Sequence, residues 1–289
     1  MGEMRFESPE AVDAAVALLA GADGETRVFA GGTDIMVQLH YDMVDLDLVV
    51  DIKNIPETQA IEKIDGAWRI GAAVNGMGLV EHEEFNKDWP GVIDGVKLIG
   101  SVQVKGRASM GGNLCNASPA ADSVPPLIAA GVICNVAGPK GERQVPVGDI
   151  VTGPGQTSLG KGEFVVSFDF PKKPDRTGDA YQRFIPRTEM DIAVVGVGVC
   201  LTVDKDDTIT DARVALGAVA PTQLLVQECA EAIIGTKLED DAVAKLSAAA
   251  SAACNPIDDK RGTVEFRIKV TGVLAERVAR DAYERARQS

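Results

Sequence analysis

Phe29-Ala30-Gly31-Gly32-Thr33-Asp34-Ile35 is the stretch on which the reading of this chain turns. Arg27 to Ala30 suits a short strand, and Ile35, Met36, Leu39 and Met43 carry helical spacing, so the paired glycines sit at a strand-to-helix turn. A turn of this kind presents consecutive backbone N–H groups that hold a pyrophosphate without basic side chains. It serves equally as a plain helix start capped by Thr33 or Asp34. Leu46 to Ile52 is apolar and β-branched enough to be the next strand, giving a small β-α-β unit that ends near Pro56.

A second glycine pair stands in Ser109-Met110-Gly111-Gly112-Asn113, with Asn116, Ser118 and Asp122 close behind. Ala108 to Asp122 is too poor in bulky side chains to build a core and reads as a loop that approaches something closely. Either the two turns grip one ligand from both sides, or this one is a Gly-rich connection whose Asn and Ser bond their own backbone. Two familiar nucleotide signatures fail. Gly155 to Gly162 nearly spells a P-loop, but Gly162 stands where Ser or Thr would hold magnesium, and the strand-like Phe164 to Phe170 follows in place of a helix. Gly196-Val197-Gly198 lies inside an apolar β-like run, which excludes a Rossmann junction.

Elsewhere, Ser8-Pro9-Glu10 followed by Ala11, Val12, Ala15, Val16, Leu18 and Leu19 reads as a capped amphipathic helix ending near Gly21. Strand character gathers around Trp68 to Ile70, a short helix fits Asn75 to Glu84, and another spans Trp89 to Val102. The polar, proline-rich run from Pro171 to Gly178 marks a boundary. Strands then follow at Ala193 to Val203 and Ala212 to Val219, with helices from Asp240 to Ala253 and Phe266 to Arg287. The expected division is a domain of residues 1–174, in subdomains of about 1–56 and 57–174, and a second domain of residues 175–289.

Composition narrows the function. The chain of 289 residues holds 43 acidic against 29 basic side chains, a net charge of −14, which repels nucleic acid and anionic membrane. A phosphate-bearing ligand therefore needs a local backbone cradle. Met1 to Gln38 lacks a basic stretch followed by an apolar core, and no apolar run approaches the roughly 20 residues that cross a bilayer, so the cytoplasm is expected. The five cysteines form no CxxC pair and there are only two histidines, His40 and His82, so no metal site or chain-borne iron–sulfur cluster is encoded. Cys115 reads as a small buried thiol, and both histidines as surface residues.

Ala30 to Ile35 (AGGTDI), Ala108 to Asp122 (ASMGGNLCNASPAAD) and Arg187 to Val195 (RTEMDIAVV), in this order and spacing, resemble the FAD-binding subunit of the xanthine dehydrogenase and carbon monoxide dehydrogenase family. Val214 to Pro221 (VALGAVAP) and Pro256 to Arg267 (PIDDKRGTVEFR) extend the resemblance into the family's C-terminal flavoprotein domain. The resemblance implies an α+β fold: a two-part FAD-binding domain, then a C-terminal domain with an antiparallel sheet, the cofactor lying in the cleft between them. It implies that Phe29, Ala30, Gly31, Gly32, Thr33, Asp34 and Ile35 wrap the pyrophosphate of a non-covalent FAD. Ala108, Ser109, Gly112, Asn113, Ser118 and Asp122 then complete the phosphate, ribose and adenine side. Ile99 and Val166 match apolar contacts of the flavin, and Arg183 falls where a relative carries lysine near the isoalloxazine, a cation that favours the anionic reduced ring.

The same resemblance implies electron transfer from the [2Fe-2S] clusters of a small partner subunit to an external acceptor. A large molybdopterin subunit oxidises the substrate, and the whole is a dimer of heterotrimers. Two departures touch the acceptor side: Thr188 replaces a frequent second arginine, and Lys105-Gly106 stands where relatives carry Arg-Asn. Asp191 reads either as a flavin residue or as one half of an ion pair with a nearby arginine. A free-standing FAD-dependent oxidase or reductase and a flavin-free scaffold subunit are the rival functions.

Overall fold

The computed structural model of the chain describes residues 4–187 and 190–289. Thr188 and Glu189 lie outside the described residues. The first unit comprises β1 (Arg5–Glu7), α1 (Val12–Gly21), β2 (Thr26–Phe29), α2 (Ile35–His40) and β3 (Leu48–Asp51). β3 lies between β1 and β2 and runs parallel to both, so each connection crosses over through a helix. α1 turns Ala15 and Leu19 onto Leu48 and Val50, a core that also takes in Ala73, Ala137 and Phe164 of the next unit. The expected helix start at Ser8 is not observed. Arg5 to Glu7 pair with β3, residues 8–11 turn the chain back, and the helix opens at Ala11 with no side-chain cap.

The second unit holds β4 (Ile61–Ile64), β5 (Ala67–Gly71), α3 (Gly76–Glu81), α4 (Glu83–Asp88), α5 (Pro90–Lys97), α6 (Val102–Lys105), α7 (Met110–Cys115), α8 (Val124–Ala129), β6 (Ile133–Gly138), β7 (Gly141–Pro146), β8 (Val151–Gly153), β9 (Gln156–Thr157) and β10 (Phe164–Phe170). Its antiparallel sheet runs β4-β5-β10-β6-β7. Trp68, Phe85, Trp89 and Phe170 meet mostly edge to face on one side of it. Each such side chain, fully buried, contributes about 1.5–3 kcal/mol. The P-loop-like stretch begins at the turn of the β8–β9 hairpin, with Gly155 at φ 69°, and runs on past β9 into the connection to β10. Two sequence expectations need correction. The helix expected over Trp89 to Val102 is broken at residues 98–101, where Gly100 takes φ 58° and Ser101 caps α6. Ala108 to Asp122 is not simply a loop, because Ser109 caps α7 within it.

The third unit holds β11 (Thr177–Phe184), β12 (Val195–Val203), β13 (Ile209–Gly217), β14 (Leu224–Leu225), α9 (Gln227–Ile233), α10 (Asp240–Ala252) and α11 (Val264–Gln288). The four strands form an antiparallel sheet in that order. α11 lays Leu274, Ala275, Val278, Ala279 and Ala282 on it. β11 carries Thr177, Asp179 and Tyr181 inward, polar groups whose burial is satisfied by partners, and that hides its strand pattern from a hydrophobicity reading. The architecture is α+β, with the two-part N-terminal portion and antiparallel C-terminal sheet that the sequence implies.

Candidate functional site

β2 delivers the chain into Gly31 and Gly32, and α2 begins three residues later. Met36 N–H donates to Gly32 O at 3.1 Å and Val37 N–H to Asp34 O at 3.0 Å. Among the described residues, no protein acceptor meets the N–H of Gly31, Gly32, Thr33, Asp34 or Ile35. α2 starts at Asp34 without a side-chain cap, so the plain-cap alternative is not realised, and the Asp34 carboxylate instead accepts from Gln38 Nε2. Five successive amides are thus left for a ligand, in a turn whose glycines let the backbone come close. Behind it, Lys53 Nζ donates to Ala30 O at 2.9 Å, pairs with Asp51 at 2.6 Å and lies 4.3 Å over the Phe29 ring. Neither Lys53 nor Asp51 was legible as part of the turn, since only the parallel pairing of β2 with β3 brings them there.

The second glycine turn lies beside the first. A Cβ on Gly31 would stand 2.0 Å from the Arg107 carbonyl oxygen and 2.9 Å from Ala108 Cα. Gly111, in turn, packs so tightly on Ala72 that a Cβ would meet its carbonyl oxygen at 2.4 Å. Its glycine amides are already used: Gly111 N–H donates to Ala72 O, and Gly112 N–H to Ser109 Oγ at 3.0 Å. The two pairs therefore differ physically. The first offers amides, and the second offers close backbone approach and the polar groups that follow it.

Those groups open onto a cavity of about 230 Å³ lined by Leu98, Ile99, Gly100, Asn113, Ser118, Ala120, Asp122, Arg183, Met190, Asp191 and Ile192. Both portions of the chain line it. Asn113 Oδ1 is held by Ser123 N–H and Oγ–H, which fixes the amide. Ser118 Oγ accepts from Ala120 N–H at 3.3 Å, and its carbonyl accepts from Gln223 Nε2. Asp122 accepts from Tyr181 Oη at 2.8 Å and from Arg183. The Arg183 side chain is 5% exposed, and its Nε finds no partner among the described residues.

Of the residues singled out in the sequence, Ile99, Asn113, Ser118, Asp122 and Arg183 share this cavity, and Phe29 to Ile35 form the amide turn against Arg107 and Ala108. Ser109 caps α7 and Gly112 is exposed on it. Val166 does not line the cavity: it packs with Ala30 on the small core of the first unit, at the bulge in β10. Leu98, Gly100, Ala120, Met190 and Ile192 were not anticipated, since nothing in their type distinguishes them from loop residues. His40 is exposed, whereas His82 corrects the surface reading: its Nδ1 accepts from Phe85 N–H at 3.2 Å and caps α4. Cys115 is partly buried against the core, and burial pushes its thiol up to about 12. Lys105 is buried and donates to Lys97 O.

Asp191 is held in an ion pair, the second of its two readings, and its position also faces the cavity. It lines the cavity, and it is paired with Arg187 at 3.4 Å and Arg261 at 3.2 Å. Burial opposes its charge, but hydrogen bonds from Arg187, the Ile192 amide and Arg261 outweigh burial and hold the carboxyl at about 2, below its ordinary 3.8. Its folded value is depressed, so the stability it adds is fully present above 3.8 and is lost as pH falls toward about 2. Asp191→Asn should flatten the acid limb of melting temperature against pH over that window; an unchanged limb would show that the pairs add no stability.

The chain matches two protein families in series: the FAD binding domain in molybdopterin dehydrogenase over residues 2–173, and the CO dehydrogenase flavoprotein C-terminal domain over residues 180–282. It is 30% identical to the xanthine dehydrogenase FAD-binding subunit of Escherichia coli O157:H7 over 270 residues, 93% of this chain and 92% of that one. It is 29% identical to the carbon monoxide dehydrogenase medium chain of Hydrogenophaga pseudoflava, covering 97% of this chain and 98% of that one. A crystal structure of the Cu,Mo-CO dehydrogenase superposes with a TM-score of 0.93 at 28% identity, over 98% of this chain and 99% of that chain. A free-amide turn and a two-sided cavity in this fold, matched along nearly the whole sequence, lead to one assignment: the chain belongs to the family of FAD-binding subunits of molybdopterin dehydrogenases and is an oxidoreductase subunit.

Proposed function

We propose that this chain is the electron relay of a three-subunit molybdenum hydroxylase, taking electrons from the [2Fe-2S] clusters of a small subunit and passing them to an external acceptor such as NAD or a quinone-linked carrier. A large molybdopterin subunit sets the substrate, and the assembly is a dimer of heterotrimers. The observation that carries this reading is the row of five unpartnered amides packed against residues 107–108, with the Arg183-lined cavity beyond. The residues present fit FAD. The amides of Gly31 to Ile35 hold the pyrophosphate with no basic side chain, as the acidic surface requires. Asn113, Ser118 and Asp122 supply polar contacts, and the spare N–H of Arg183 supplies a donor toward the ring.

When bound, FAD stores two electrons and so couples one-electron donors to a two-electron acceptor. The chain binds and orients it, and Ile99 with the Met190–Ile192 segment excludes water from the cavity. Retention is non-covalent, with neither histidine at the cavity and the thiol of Cys115 held protonated by burial. The N-terminal 174 residues form the FAD domain, divided near residue 56, and residues 175–289 complete the cleft.

Purified chain should be yellow, should release all its flavin on acid precipitation, and should have its visible band bleached by a reduced [2Fe-2S] subunit. A colourless protein that takes up no FAD would overturn the reading in favour of a scaffold. Flavin that stays oxidised beside the reduced cluster subunit, yet is reduced by a small substrate, would favour a free-standing oxidase.

A further inference from the structure

Tyr181 has no part in the binding described so far, yet the fold goes to some length to seat it. Its ring is buried, and its hydroxyl donates to Asp122 Oδ1 at 2.8 Å. Arg183, two residues along β11 and therefore on the same face, donates from Nη1 to the other oxygen of Asp122. Arg183 is paired across the sheet with Gly196 of β12. A Cβ at Gly196 would stand 2.6 Å from Tyr181 Oη, so only glycine there leaves room for the hydroxyl.

The three groups form a chain of charge and hydrogen bonds centred on Asp122 at the wall of the cavity. The guanidinium of Arg183 is cancelled by its partner only while Asp122 is ionised. Burial works against that: it pushes the Asp122 carboxyl up to about 6, with Arg183 and the Tyr181 hydroxyl pulling the other way. Tyr181 is thus one of two restraints that keep the carboxylate. The other carboxylates nearby are engaged elsewhere. Asp94 accepts from Tyr181 N–H at 3.5 Å and from Arg285, and Asp191 is tied to Arg187 and Arg261.

We infer that Tyr181 is a positioning residue that keeps Asp122 ionised, so that the Arg183 charge stays cancelled beside the flavin and the bound ring is held harder to reduce. This rests on the relay reading, because it needs the flavin in that cavity. Removing the hydroxyl shifts Asp122 toward its neutral form and leaves a net positive charge at the wall, which favours the anionic reduced ring.

The test is a reductive titration of the FAD-loaded full chain against a reference dye. A hydrogen bond to a charged group being worth about 1.5–3 kcal/mol, part of which appears in the protonation of Asp122, Tyr181→Phe should lower the ratio of oxidised to reduced flavin at fixed potential by about three- to tenfold. Gly196→Ala, which displaces the hydroxyl by contact, should shift the ratio in the same direction. Asp122→Asn should shift it further, and adding Tyr181→Phe to that variant should change nothing more, because Tyr181 acts through the carboxylate. Unchanged ratios in both Tyr181→Phe and Gly196→Ala, or additive shifts in the double variant, would overturn the inference while leaving FAD binding intact. A wild-type chain that takes up no FAD would instead sink the relay reading.

Discussion

Alanine at Gly31 weakens FAD binding by roughly five- to more than a hundredfold, the equivalent of the about 1–3 kcal/mol that overpacking costs. The added Cβ would lie 2.0 Å from the carbonyl oxygen of Arg107, 2.5 Å from its carbonyl carbon and 2.9 Å from Ala108 Cα. These are backbone atoms, so no side-chain rotation relieves the contact, and the two turns must part. Parting them re-aims the five amides that no protein group otherwise uses. Gly32→Val should act in the same direction for a second reason: Gly32 stands at φ 71°, where a β-branched residue is strained, and a Cβ there would lie 2.3 Å from the Phe29 ring. Gly21→Ala is the control, since a Cβ there meets nothing within 4 Å. Flavin fluorescence quenching on titration reads the affinity directly. Equal affinity in Gly31→Ala and the control would place the pyrophosphate elsewhere.

The second large effect is on stability. Asp179 of β11 is buried and accepts from Gly91 N–H at 2.7 Å and Val92 N–H at 3.2 Å, two buried amides in the first turn of α5 that have no partner within the helix. Its other oxygen takes Lys173 Nζ at 2.7 Å, and Lys173 also donates to Asp88 O and lies 4.9 Å over the Trp89 ring. Arg285 of α11 reaches the Asp179 carbonyl and the Asp94 carboxylate, each at 2.7 Å. One carboxylate therefore joins the N-terminal portion to the C-terminal sheet. Asp179→Ala strips the half-buried Lys173 ammonium of its carboxylate, leaving it only the Asp88 carbonyl, and leaves two buried helix N–H groups unpaired, and should cost about 3–5 kcal/mol. Denaturant unfolding of the two proteins measures it. A loss below about 1 kcal/mol, the value of an exposed pair, would show that water takes over the contacts.

Much of the site was legible because its signals are local. A strand, two glycines and a helical period define the first turn without reference to any other part of the chain. The misreadings share a cause. Ser8 has the residue type of a cap, but the pairing of Arg5–Glu7 with β3 moves the helix start to Val12. The second glycine pair looked like a copy of the first, yet Ala72 and Ser109 consume its amides.

By itself, the sequence determined where the glycine turns fall, the periodicity of most elements and the need for a backbone anion cradle in a protein of net charge −14. These follow from residue chemistry over a few positions and from the sum of charges. The tertiary structure alone decided that Gly31 abuts Arg107, that Tyr181 and Arg183 share Asp122, and that Asp179 bridges the two portions. Such contacts join residues far apart in the chain, at separations that only packing and strand register set, and no local pattern encodes them.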